Sequence, residues 1–236
     1  MELSDLTINL FELMAALSSS YYWVRTKDFR IKPIVWLLWL TVFVETFGLY
    51  GYVLQNNYCY DWFLWVKNSV FCRNRWLYNI LSLLSVILLG LFFRNHLHDK
   101  ISKKIVVIIF VLSSVFSIAY FSITNGFFTK SIPYDALIQT LTVFVFVMLY
   151  FKELLKSDEI LKFYKSYLFY ISLGLLLWYL CITPLVIFDA YFYDVNPSFI
   201  EFRGIYLLIA NILLYSCYTF AFIYSLHHNE KLVQKK

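Results

Sequence analysis

Five polar residues stand inside stretches that are otherwise almost wholly apolar: Glu12, Glu45, Asn79, Gln139 and Asn211. A carboxyl group in such surroundings holds a proton or a cation, or acts as neutral hydrogen-bond glue, because insertion into hydrocarbon costs at least about 2.5–3.5 kcal/mol. For Asn79, Gln139 and Asn211 a plainer role is equally open, since amides join helices through hydrogen bonds of roughly 0.6–2 kcal/mol. Pro184 lies in another apolar stretch. There it frees the Leu180 carbonyl and kinks the helix, either as a hinge or as fixed packing. Cys181 and Cys217 read as small apolar fillers, whereas Cys59 and Cys72 fall in a more polar interval and are expected to pair as a disulfide.

The elements that carry these residues follow from composition. Of 236 residues, 61% are hydrophobic and 15% charged, against the roughly 25% charged of a soluble domain. Such a chain would expose larger apolar patches than water tolerates, so the lipid bilayer is its expected partner. Seven stretches approach the ~20 residues needed to span hydrocarbon: Asp5 to Trp23, Pro33 to Leu54, Trp76 to Phe93, Ile105 to Ile123, Tyr134 to Phe151, Tyr167 to Ala190 and Gly204 to Leu226. Their continuity excludes a β-barrel, whose strands alternate. The expected fold is an all-α integral membrane protein, one seven-transmembrane-helix bundle over residues 1–236. A six-helix bundle with an interfacial first segment is the alternative, because Glu12 and Ser18-Ser19-Ser20 interrupt the first stretch. Glu2 and Asp5 stand where a secretory signal carries Lys or Arg, so the first helix is expected to be retained.

Orientation follows from the Lys and Arg residues. Fifteen fall after the first, third, fifth and seventh stretches, among them Arg25, Lys27, Arg30, Lys32, Lys152, Lys156, Lys162 and Lys165. Five fall on the other side: Lys67, Arg73, Arg75, Lys130 and Arg203. This bias puts the N-terminus outside and the C-terminus in the cytoplasm. It also accounts for the net charge of +5 through anionic headgroups, without nucleic acid. At about 1.5 Å per residue, Glu12 lies about 10 Å below the outer boundary, Glu45 about 14, Asn79 about 5, Gln139 about 8 and Asn211 about 10. All five thus belong to the outer half and could line a polar chamber open to the outside. The outer loop 55–75 carries Trp62 and Trp65 and either covers that chamber or lies in the headgroups.

Several chemistries are excluded by their motifs. There is no HExxH, GxSxG or phosphate-cradling glycine loop, and the last stretch holds no lysine for a retinal Schiff base. His96, His98, His227 and His228 all fall at cytoplasmic ends. No catalytic residue, metal site or cofactor is expected, and the chain does not read as an enzyme. The run Lys152 to Lys162 reads as a charged continuation of the fifth helix, suited to a partner protein or to solvent.

The segments Asn9-Leu10-Phe11-Glu12, Val44-Glu45-Thr46-Phe47-Gly48, Asn74-Arg75-Trp76-Leu77-Tyr78-Asn79, Tyr150-Phe151-Lys152-Glu153-Leu154-Leu155 and Asn211-Ile212-Leu213-Leu214-Tyr215 resemble a family of uncharacterised bacterial seven-transmembrane-helix proteins. The sixth stretch departs mildly, with Phe169-Tyr170-Ile171-Ser172-Leu173-Gly174 where the family has Phe-Trp-Ile-x-x-Gly. The resemblance implies a multi-pass inner-membrane protein associated with histidine-kinase signalling, with Glu12, Glu45, Asn79 and Asn211 at positions typical of the family. The resulting expectation is a receptor or sensor whose outer chamber binds a small ligand or cation and shifts the fifth and sixth helices. A small-solute or cation transporter using the two glutamates is the alternative.

Overall fold

The chain closes into a ring of helices. The computed structural model describes residues 3–55, 64–124, 127–128, 133–192 and 197–233. In order these form α1 (Leu3–Thr26), α2 (Lys32–Gly48), α3 (Tyr50–Gln55), α4 (Leu64–Lys67), α5 (Arg75–His96), α6 (Lys100–Thr124), α7 (Pro133–Lys156), α8 (Tyr167–Phe192) and α9 (Pro197–Val233). Tight 3-10 turns occupy Phe29–Ile31, Val70–Cys72 and Asp158–Lys165, and no strand occurs among the described residues. The fold is therefore all-α. α1 packs on α2, α2 on α5, α5 on α6, α6 on α7, α7 on α8 and α8 on α9, while α9 returns to α1.

Six stretches among the described residues are long and apolar enough to cross a bilayer: Phe29–Gly48, Arg75–His96, Lys100–Thr124, Ala136–Lys156, Tyr167–Phe188 and Ser198–His228. These fit a multi-pass membrane protein. α1 is not among them, although its 24 residues would reach about 36 Å; Glu12 and the three serines lower its hydropathy. Large apolar side chains are exposed around the ring, as at Ile108, Val111, Leu112 and Val115 on α6 and Leu6, Leu10, Leu17 and Val24 on α1. Water would penalise such a surface, whereas hydrocarbon does not.

Packing is densest toward the end where α1 and α5 finish and α8 begins. Phe92, Phe93, Phe146, Ile171 and Phe222 are fully buried there. α5 and α6 meet at Gly90, where a Cβ would come within 2.5 Å of Phe110 Cδ1. Only glycine permits that approach. α1 ends with Lys27 at φ 53°, its N–H donating to the Trp23 carbonyl at 2.8 Å in a left-handed cap.

Two expectations about continuity need correction. The second stretch does not run unbroken from Pro33 to Leu54: α2 stops at Gly48 and α3 restarts at Tyr50. At the break the Leu49 N–H turns to the Thr46 carbonyl at 3.4 Å, and the Asn74 side-chain amide donates to the Gly48 carbonyl at 3.1 Å. The run Lys152 to Lys162 continues the fifth helix only as far as Lys156. α7 stops at Lys156, Ser157 is extended, and residues Asp158–Lys165 fold back as a 3-10 turn against α8 and α9. The expected disulfide is not seen: Cys72 is a free, exposed thiol, and Cys59, like Trp62, lies outside the described residues.

Candidate functional site

α1 turns a narrow face inward. Glu12, Ala15, Ala16 and Ser19 are each 2% exposed or less, spaced three, four and seven residues from Glu12 as one helical face requires. The small residues let α1 approach α9, which presents Asn211, Leu214, Tyr215 and Tyr218 at the same spacing. Together with α2, α5 and α8 these helices enclose a cavity of about 250 Å³, lined by Glu12, Glu45, Tyr78, Trp178, Tyr179, Asn211, Tyr215 and Tyr218 over a leucine floor that includes Leu37, Leu38, Leu89 and Leu175.

The polar contacts here are specific. The Tyr215 hydroxyl donates to the Glu12 carboxyl, while Glu12 Oε2 makes no hydrogen bond. The Tyr78 hydroxyl donates to Glu45 Oε2 at 2.9 Å. Trp178 Nε1 donates to Asn211 Oδ1 at 2.8 Å. The hydroxyls of Thr41 and Ser85 are spent on their own helices, donating to the Leu37 and Leu81 carbonyls. A smaller space of about 120 Å³, lined by Ile8, Asn9, Glu45, Gly48, Leu49, Tyr78 and Asn211, shares Glu45, Tyr78 and Asn211 with the first. It therefore forms an antechamber on the side of Ile8 and Leu49. A Cβ on Gly48 would stand 3.3 Å from the Tyr78 hydroxyl, so the glycine leaves room for the ring that holds Glu45.

Of the residues singled out from sequence, the structure brings Glu12, Glu45 and Asn211 together. Asn79 and Gln139 lie elsewhere. Asn79 Nδ2 donates to the Phe127 carbonyl at 2.7 Å, and Gln139 Nε2 donates to Ser82 Oγ, so both tie α5 to its neighbours. Consecutive helical residues point about 100° apart, and with Tyr78 facing the cavity Asn79 must face away. Pro184 does not line the cavity either, and α8 continues through it. One residue earlier, Thr183 and Thr140 share a 2.6 Å hydrogen bond that anchors α8 to α7. The aromatic walls were missed in sequence; the spacing of Asn211, Tyr215 and Tyr218 is the signal that points to them. Among the described residues, no group of three or more His, Cys, Asp or Glu could hold a metal ion.

A second polar region occupies the opposite end. A cavity of about 820 Å³ there is bordered by Asp28, Arg30, Lys162, Lys165 and Tyr167, and one of about 460 Å³ by His96, Glu153 and Lys156. His96 Nδ1 lies 2.7 Å from the Phe92 carbonyl and Nε2 lies 2.7 Å from the Tyr167 hydroxyl, which is also 3.2 Å from Asp28 Oδ2. A carbonyl only accepts, so neutral His96 carries its proton on Nδ1 and receives the Tyr167 hydrogen at Nε2. The single Tyr167 hydrogen then cannot also serve Asp28. Arg30 does so instead, donating from Nε and Nη2 at 3.0 Å each. Burial pushes the Asp28 carboxyl up, but hydrogen bonds and charge from Arg30 outweigh this and hold it below its ordinary value. Phe92, Phe93, Ile171 and Phe222 fill the space between the two ends.

No family model matches this chain, no curated protein matches it, and no solved structure does, so its function is argued from the chemistry of its own residues.

Proposed function

We propose that the chain is a receptor-like inner-membrane module that binds a small ligand or cation between Glu12 and Glu45 and signals to a cytoplasmic partner. The observation that carries this reading is the convergence of two glutamate carboxyl groups from α1 and α2 on one cavity, where Glu12 Oε2 makes no hydrogen bond. In this reading α1 is the seventh crossing. Its outward face is apolar from Leu6 through Leu10, Leu13, Leu17 and Tyr21 to Val24, a stripe about 27 Å long at 1.5 Å per residue, close to the hydrocarbon thickness. The basic bias of the sequence sets the N-terminus outside, so the antechamber opens outward. α8 and α9 run from the cavity to the cytoplasmic end, whereas α7 does not line it, so a ligand-driven shift travels through α8 and α9. The partner is a signalling protein such as a histidine kinase, as the family resemblance implies.

A transporter needs a second opening to the same site. The fully buried Phe92, Phe93, Ile171 and Phe222 occupy that path, which favours the receptor. The test is a thermal-unfolding screen of the purified chain against metal ions, small metabolites and pH, with Glu12→Gln and Glu45→Gln in parallel and solute flux measured in liposomes. Stabilisation that both variants lose, without flux, is the expected result. No stabilisation by any compound, or flux that Glu45→Gln abolishes, would overturn the receptor reading.

A further inference from the structure

We propose that the cavity between Glu12 and Glu45 takes a small organic ammonium ion with a short apolar body, not a metal ion. This inference rests on the reading of the cavity as a ligand site and names the chemical class of its occupant. Charge is the first consideration. Glu12 is 2% exposed, and its Oε2, which makes no hydrogen bond, is an acceptor in search of a donor. Glu45 adds a second carboxylate. The walls are five rings, Tyr78, Trp178, Tyr179, Tyr215 and Tyr218, and the face of an aromatic ring is negative. Carboxyl oxygens, and any ring face that a bound cation meets, favour a cation over an anion.

The kind of cation follows from what else lines the space. Calcium takes six to eight oxygen ligands and magnesium demands a near-octahedral set. Here only two lining residues carry carboxyl groups; the Asn211 oxygen already accepts from Trp178, and the other oxygens are the neutral hydroxyls of Thr41, Ser85 and four tyrosines, set among leucines. An ammonium group asks for less: hydrogen bonds to one or two carboxylates, and contact with ring faces, the recurring mode of ammonium recognition. The leucine floor gains nothing from a bare ion, but it buries the alkyl part of an amine. A volume of about 250 Å³ lies just under the roughly 300–1,000 Å³ of sites for drug-sized molecules, so the ligand is small.

The test uses the full chain in lipid nanodiscs and reads thermal unfolding and tryptophan fluorescence during titration. The probes are n-butylammonium and tetramethylammonium, with n-butanol as the uncharged counterpart and sodium, potassium and calcium chlorides as inorganic cations. At least one ammonium probe is expected to saturate and raise the unfolding midpoint, with n-butanol inert at the same concentrations. Glu12→Gln and Glu45→Gln each weaken that binding by about tenfold or more, and Trp178→Leu weakens it by about two- to thirtyfold. Binding of n-butanol as tight as that of n-butylammonium would overturn the proposal, since the carboxylates would then recognise nothing. Saturable stabilisation by a metal ion with both ammonium probes inert would overturn it too, while leaving the cavity as a ligand site. Silence from every probe in wild type would overturn it without any variant, and silence extending to the wider screen would take the receptor reading with it.

Discussion

Glu12 sits where function and stability pull in opposite directions. Its carboxyl is buried, with one oxygen bonded by Tyr215 and Oε2 left without a hydrogen bond. A buried polar atom without a partner costs about 1–3 kcal/mol, and replacing both members of a pair by apolar groups of similar shape removes that cost. The double variant Glu12→Met with Tyr215→Phe is therefore expected to stabilise the unliganded protein by about 1–3 kcal/mol. At about 2–4 °C per kcal/mol for a chain of this size, the unfolding midpoint rises by about 2–12 °C. Glu12→Met alone strands the Tyr215 hydroxyl, which returns a similar cost, so the single variant should unfold close to wild type. The assay is thermal unfolding of all three proteins in one detergent without ligand, followed by the same scan with n-butylammonium. Wild type gains stability from the amine and the double variant does not. A double variant less stable than wild type by more than about 1 kcal/mol would refute the reasoning, because it would make Glu12 part of the bundle's glue instead of a site held ready for a ligand.

Gly90→Ala forces a Cβ to within 2.5 Å of Phe110 and should destabilise by about 1–3 kcal/mol; Phe110→Leu in the same chain should recover part of the loss in the unfolding midpoint. Arg30 holds the Asp28 carboxyl below its ordinary value of 3.8, so the stability from this pair is present above that value and disappears as pH falls through the lower, folded-state one. Arg30→Gln should remove that acid-side decline from a series of unfolding scans between about pH 2 and 6. For the orientation, a membrane-impermeant maleimide added to intact cells should label Ser69→Cys in a cysteine-free chain, and should label Lys162→Cys only after the membrane is opened. The reverse pattern would turn the bundle over and place the antechamber on the cytoplasmic side.

Much of the architecture is legible in the sequence because hydropathy reports depth. The long apolar runs foretell helices close to where α5, α6, α7 and α8 lie, and an even spread of apolar residues rules out strands that alternate. Counting residues from the end of a run also places Glu12, Glu45 and Asn211 at similar levels. Rotation is another matter. A helix that is apolar all round has no polar stripe to mark its outer face, so nothing in the pattern distinguishes Tyr78, which turns to the cavity, from Asn79, which turns away to the Phe127 carbonyl. That choice is made by packing: Ala15, Ala16 and Ser19 let α1 close on α9, Gly90 admits Phe110, and the hydrogen bond from Gln139 to Ser82 sets α7 against α5. The contact of Asn74 with the Gly48 carbonyl, 26 positions away, escapes the sequence for the same reason, since no local pattern records it. Sequence therefore determined the membrane-length helices and the level at which polar groups lie; only the closed ring, through contacts between residues far apart in the chain, decided that two glutamates and five aromatic rings share one cavity.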